Sequence, residues 1–314
     1  MMRTMISGRG KPWFGRVCLA GVLAICALAA SAAAGEEASP VFRFAPSDGT
    51  SYVESVETKQ VLDFGAGRTS ARQSELKTQV TIEKGTTGYS ITSTLVSGGT
   101  TSALEEADNA ALKALEGVPL TYHIDGEARI ASVSGIRQAT DKVRAALPDN
   151  VAAIVAEALT DEAVLATARA DWDRRVLNFV GRPAGVGDAW LAREKFPLPS
   201  GEVVEFYSAM RVTKQEQVGG PDCVRVEYSY SRDPRDLRDA LGDSADSLLA
   251  RKEPFAGASK VSGNGYRVVD PETLLCYGEE LEREVKTILP LPDGESLPVT
   301  IQQTKTYTYE YAPR

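Results

Sequence analysis

His123 is the only histidine in the chain, so a Ser-His-Asp or Cys-His centre would have to be built on it. It alternates with Tyr122 and Ile124, which share a strand face, so it points to the opposite face and toward water. One histidine also falls short of the several His or Cys ligands that a zinc site usually combines. Ser74-Glu75-Leu76-Lys77 matches the S-x-x-K pattern of a lysine-assisted serine nucleophile. Ser262-Gly263-Asn264 and Lys286-Thr287-Ile288 approach the two motifs that accompany it, although the last lacks its glycine. That chemistry needs Ser and Lys on one helical face. Residues 75–83 alternate as a strand does, and strand positions three apart face opposite sides.

Carboxylates are plentiful. Glu279, Glu280, Glu282 and Glu284, or Asp171 and Asp173, could serve as the two acids of a glycosidase-like hydrolase, but the strand positions read as a solvated face. Asp233, Asp236, Asp239, Asp243 and Asp246 fall at helical spacing without the glycine-turn loop of an EF-hand, so they read as a charged helix face. Gly65 and Gly67 are not followed by the G-K-[ST] of a phosphate loop. No catalytic, cofactor-binding or metal-ligating residue is assigned, and the chain is expected to be non-enzymatic and free of cofactors. The tyrosines are the remaining candidates. Tyr307, Tyr309 and Tyr311 share one strand face, and Tyr228 and Tyr230 share another. If those strands are neighbours, they form an aromatic wall facing a lipid or other amphipathic ligand. Ordinary cross-strand contact is the alternative.

The elements that position these residues follow from periodicity. From 41 to 133 the chain reads as a β meander. Leu76, Thr78, Val80 and Ile82 alternate with Glu75, Lys77, Gln79, Thr81 and Glu83, and Tyr89, Ile91, Ser93 and Leu95 continue after a turn. Asp48-Gly49 and Asp125-Gly126 are hairpin signals, and a short helix fits between Gly98 and Gly117. From 135 to 181 the pattern is helical. Pro148-Asp149-Asn150 divides it, Asp161 is placed as an N-cap, and Val164, Leu165, Ala168, Trp172, Val176 and Phe179 share one face. From 186 to 312 β structure returns, with an acidic amphipathic helix over 233–251. The expected fold is α+β: a curved antiparallel sheet, open like a half-barrel, with helices packed on one face. A closed barrel or two packed sheets remain alternatives.

The first 34 residues read as a cleaved signal peptide. Arg3, Arg9, Lys11 and Arg16 precede an apolar run from Val17 to Ala30, and small residues lead to cleavage after Ala34. The run is shorter than the about 20 residues of a spanning helix, and no later run approaches that length, so no membrane span is expected after cleavage. Residues 35–314 then form the mature α+β region, expected to be one domain in the periplasm or outside the cell. Cleavage removes four of the 35 basic residues and none of the 43 acidic ones, which leaves a net charge of −12. Such a chain is a poor partner for nucleic acid. Cys223 and Cys276 remain, and in an oxidising compartment they are expected to pair. The chain-entropy gain for a loop of that size is about 4 kcal/mol.

Arg182-Pro183-Ala184-Gly185-Val186-Gly187-Asp188-Ala189-Trp190 resembles the P-x-x-V-G-D-x-W turn of several uncharacterised secreted bacterial β-rich families. Gly263-Asn264-Gly265-Tyr266, leading to Asp270-Pro271-Glu272-Thr273, resembles their glycine-led hairpin, with Thr273 where a glycine is usual. The likeness covers residues 182–311. Some of these families are similar in outline to the lipoprotein-carrier fold, an open β half-barrel closed by helices, which implies binding of acyl chains. It assigns no functional residue; Gly185 and Gly187 are read as turn residues and Trp190 as a core anchor. The sequence thus supports a non-catalytic envelope protein that binds a lipid or amphipathic ligand. A structural or protein-interaction module using a sheet edge or the 233–251 helix is the alternative, and a carboxylate-dependent hydrolase the lesser one.

Overall fold

The computed structural model describes residues 40–65, 67–101, 105–197, 203–219, 221–290 and 296–312. The signal-peptide region lies outside the described residues. The first half runs β1 (Thr50–Asp63), β2 (Thr69–Lys84), β3 (Tyr89–Thr101), α1 (Glu105–Leu115), β4 (Pro119–Ile124) and β5 (Ile130–Ser134). Next come α2 (Ile136–Ala146), α3 (Asp149–Ala158), α4 (Asp161–Trp172) and a π-helical turn over Asp173–Leu177. The second half begins with β6 (Ala189–Pro197), β7 (Val203–Gln217) and β8 (Asp222–Ser231). Two short helices follow, α5 (Arg238–Leu241) and α6 (Ala245–Leu249), and then β9 (Lys260–Val269), β10 (Cys276–Pro290) and β11 (Ser296–Tyr311).

All eleven strands join one open sheet in the order β5-β4-β3-β2-β1-β11-β10-β9-β8-β7-β6, and every pairing is antiparallel. Each half is a meander, and β1 and β11 join the halves at the centre. The edge strands β5 and β6 are consecutive in sequence, so the 135–181 helical region must cross from one edge of the sheet to the other. It does so over the inner face. Arg169 on α4 donates to the carbonyls of Ile130 and Ala131 on β5, and Arg174 pairs with Glu279 on β10. In a flat sheet β5 and β10 would be six strand spacings, about 29 Å, apart. Five helical residues rise only about 7.5 Å. The sheet therefore curls strongly around the helix, as the expected half-barrel requires.

Strand alternation separates the two faces. Tyr52, Glu54, Leu76, Val80, Ile91, Val226, Arg267, Glu279, Leu281, Tyr307 and Tyr309 face inward, while Glu280, Glu282 and Glu284 face outward. Ser74 and Lys77 on β2 face opposite sides, and His123 is exposed, as the alternation requires. One inner cluster joins Phe42, Phe179 and Trp190, whose rings meet edge to face at 5.3–5.7 Å, to Val204, Phe206, Val226 and Val285. A second joins Val80, Ile82, Ile91, Ile124 and Ile130 to Leu165, Ala168 and Trp172 of α4.

The helices do not all lie on one face. Tyr207 and Ala209 on the outer face of β7 are covered by Leu237, Leu241 and Ala245. The expected helix over 233–251 is broken at Gly242, whose φ of +56° departs from helical geometry. Thr160, not Asp161, caps α4, its Oγ1 accepting from the Ala163 amide at 3.2 Å. Asp48-Gly49 is not a hairpin turn; it leads into β1, and Asp48 accepts from the Lys84 amide at 2.7 Å. Gly65 and Gly67 do turn a hairpin, both at positive φ between β1 and β2.

The expected disulfide is not formed: Cys223 and Cys276 are free and buried. Cys223 lies on β8 and Cys276 on β10, with β9 between them. Two strand spacings put the Cα atoms about 10 Å apart, beyond the roughly 7 Å limit for a disulfide. Burial pushes the Cys223 thiol up to about 12. Alkylation in denaturant, followed by intact-mass measurement, should tag both cysteines without prior reduction. A second expectation concerns β9, where a Cβ on Gly265 would lie 2.4 Å from the Glu280 carbonyl oxygen. Gly265→Ala should lower stability by about 1–3 kcal/mol in urea unfolding.

Candidate functional site

The inner face carries charge where a sheet core is usually apolar. Arg267 on β9 and Glu279 on β10 are directly opposite and each is 1% exposed. Arg267 Nε and Nη2 donate to one Glu279 oxygen at 3.2 and 2.8 Å, and its Nη1 donates to the Arg175 carbonyl at 2.6 Å. Arg174, from the π-helical turn, takes the other Glu279 oxygen. It also reaches Asp171 at 3.0 Å and the Tyr307 hydroxyl at 3.4 Å. Arg175 pairs with Glu54 on β1, donates to the Tyr309 hydroxyl and lies 3.5 Å from Asp171. Its guanidinium stands 5.1 Å from the Tyr307 ring centroid, where the ring face favours a cation. Within the π-helical turn the Asn178 amide bonds back five residues to the Asp173 carbonyl. This turn carries both arginines to the sheet.

Burial alone would push Glu279 up, but Arg174, Arg267 and Arg175 overcome it and hold the carboxyl at about 2. The same contest leaves Asp171 well below the usual carboxylate range, under Arg174 and Arg175.

Next to this network lies a cavity of about 250 Å³ between the crossover (α4 and the π-helical turn) and the inner face of β1–β5, reaching β9, β10 and β11 at its charged end. Val80, Ile82, Ile91, Ile130, Trp172 and Leu275 supply its hydrocarbon lining, and Glu54, Asp171, Arg175, Arg267 and Tyr309 its charged end. Tyr52, Thr78, Ser93 and Tyr122 also line it, and among the described residues their hydroxyls have no hydrogen-bond partner. Burial pushes the Tyr52 and Tyr122 hydroxyls up, so they stay protonated donors.

The five tyrosines singled out in the sequence do not form one wall. β8 and β11 are separated by β9 and β10. Tyr309 lines the cavity. Tyr311 sits beside it, its ring 5.1 Å from Tyr52 and its hydroxyl donating to the Cys276 carbonyl at 2.6 Å. Tyr307 lies under the two arginines, and Tyr228 and Tyr230 are core residues, opposite Gly265 and Gly263. Glu279 does not belong to the solvated face of Glu280, Glu282 and Glu284. It shares parity with Leu281 and Val285, and that alternation is the signal that could have found it. Arg174, Arg175, Arg267, Glu54 and Tyr52 were missed, because nothing local marks which charged strand residue meets a helix distant in sequence. The 182–190 segment is a turn: Asp188 accepts from the Gly185 amide at 2.8 Å, Gly187 has φ +98°, and Trp190 is buried.

No described helix is long and apolar enough to cross a membrane, and no group of three or more His, Cys, Asp or Glu that could hold a metal occurs among the described residues. No protein-family model matches the chain, and no curated protein sequence does either. Solved structures similar to it include one of lipid–protein interactions in lipovitellin, at 10% identity and a TM-score of 0.43. That match covers 85% of this chain, which spans about a quarter (26%) of the lipovitellin chain. A Bacteroides fragilis protein with a YmcC-like fold aligns over 83% of this chain and 97% of its own, at 10% identity and a TM-score of 0.23. DynF from the dynemicin biosynthesis pathway of Micromonospora chersina aligns over 88% and 91%, at 8% identity and a TM-score of 0.21. No residue role is assigned from them.

Glu279 gives the site a pH signature. Its carboxyl is depressed in the folded state, so its contribution to stability is full above its ordinary pKa near 4.5 and is lost as pH falls toward 2. Glu279→Gln should cost about 3–5 kcal/mol at pH 7, since it strands Arg174 and Arg267. It should also flatten the loss of stability between pH 4.5 and 2. Urea unfolding across that range measures both.

Proposed function

We propose that this chain is a non-catalytic binding protein of the cell envelope that holds a lipid or other amphipathic ligand in its inner-face cavity. The observation that carries this reading is the cavity itself, a hydrocarbon-lined space with hydroxyls unpartnered among the described residues and an ionic network at one end. An amphiphile needs both surfaces, and a site for a wholly polar ligand would leave the isoleucines and Trp172 wet. The expectations drawn from the sequence, a signal peptide over residues 1–34 and a resemblance over 182–311 to families some of which are similar in outline to lipoprotein carriers, point the same way. The hydrolase alternative finds less support. Its two acids at the cavity, Glu54 and Asp171, are both engaged by Arg175, and Asp171 is held ionised rather than poised to donate a proton. As an interaction module the chain would not use the 233–251 segment freely, because Leu237, Leu241 and Ala245 are already buried against β7.

Native mass spectrometry of residues 35–314, purified without detergent from a bacterial periplasm, should show a reproducible added mass of an amphiphile. Ser93→Phe puts a ring into the cavity from a half-buried strand position. It should remove that mass while the unfolding midpoint stays within about 1 kcal/mol of wild type. A bare protein in both cases would sink the reading.

A further inference from the structure

We infer that the inner-face cavity takes one short hydrocarbon chain ending in an uncharged hydroxyl or ester group, and discriminates against the anion of a fatty acid. The inference rests on the ligand-binding reading above and names the chemistry of the head group.

The first observation is charge balance. Two carboxylates, Glu54 and Asp171, and two guanidiniums, Arg175 and Arg267, line the cavity. Neither guanidinium is available. Arg175 is taken by Glu54 and the Tyr309 hydroxyl, with Asp171 3.5 Å away. Arg267 is taken by Glu279 and the Arg175 carbonyl. A ligand carboxylate would therefore enter beside two carboxylates with no unpaired cation among the described residues that line the cavity, and would give up its water for nothing in return.

The second observation is the set of unused hydrogen-bonding groups. Tyr52, Thr78, Ser93 and Tyr122 present hydroxyls without partners among the described residues. Each can donate one hydrogen bond and accept others, which is what an alcohol or ester head requires. A neutral head satisfies them without disturbing the Arg175–Glu54 pair. The third observation is size. A cavity of about 150 Å³ takes one benzene ring. The 250 Å³ here therefore suits about ten heavy atoms, one chain of about eight carbons with its head.

The test is titration calorimetry at pH 7.5 on residues 35–314 freed of ligand, with 1-octanol and octanoate as the matched pair. Octanol should bind at least about tenfold more tightly than octanoate. In Glu54→Gln one of the two lining carboxylates is gone and Arg175 loses its ion-pair partner on β1, keeping the Tyr309 hydroxyl and Asp171. Octanoate affinity should then rise at least about tenfold while octanol changes little. The double variant Thr78→Val/Ser93→Ala leaves the ionic network intact and should weaken octanol by about fivefold or more, without helping octanoate. Octanoate binding as well as octanol to the wild type would overturn the inference and leave the amphiphile-binding reading standing. Binding of neither, by protein with an unchanged cooperative unfolding transition, would overturn both. If Glu54→Gln does not fold, the wild-type ratio and the double variant still decide the matter.

Discussion

Glu279 is the point on which the rest of the molecule hangs. It is a carboxylate with almost no solvent, and its two oxygens are divided between an arginine of the adjacent strand and one from the helical crossover. Taken alone, burying an acid in a sheet core is costly. Here the cost is offset because Arg267 arrives from the same ladder and Arg174 from above. Arg267 in turn holds the backbone of the residue next to Arg174. The result is a three-way clamp that ties the π-helical turn, β9 and β10 into one unit. Hydrophobic contact would hold a helix against a sheet in many positions; a clamp of this kind has one geometry.

That clamp explains the shape of the cavity. The crossover has to run from β5 to β6, which are opposite edges of the sheet, so the sheet bends round it. Trp172 and Leu165 fill the space near β5, and Phe179 and Val176 fill the space near β6. Between them the arginines stand off the sheet on their long side chains. The unfilled volume follows from this mismatch between long polar side chains at one point and apolar contact on either side.

Much of this was legible in the sequence, and the parts that were not share a cause. Period-two alternation in residues such as Leu76 to Ile82 gave the strands, and helical spacing gave the face with Leu165, Ala168, Trp172, Val176 and Phe179 that α4 and the π-helical turn direct toward the core, although Val164, read with it, joins neither cluster. The open, curved α+β architecture follows from those patterns. Three features did not: the missing disulfide, the scattered tyrosines and the ionic clamp. Each depends on which strands are neighbours. Cys223 and Cys276 lie two strands apart, and Cys223 has the opposite parity to Val224, which shares the inner face with Cys276. Tyr228 and Tyr309 have the right parity but belong to different parts of the curve. Glu279 looks like its neighbour Glu280, and only parity, together with an arginine a hundred residues upstream, distinguishes a buried anchor from a solvated surface charge. Composition and spacing report which side of a strand a residue takes, not what it meets there.

The junction of β1 with β11 bears on how the chain reaches this state. The ladder at the centre of the sheet unites residues 52–63 of β1 with residues 300–311 of β11, the first and last described strands. Neither meander can be joined to the other until the last strand is available, so the most non-local contacts of the molecule are also its central ones. A nascent or threading chain would meanwhile carry two incomplete sheets, each with a long unpaired edge open to other chains. Assembly is thus suited to a setting in which the whole polypeptide is released at once or is shielded until it is complete.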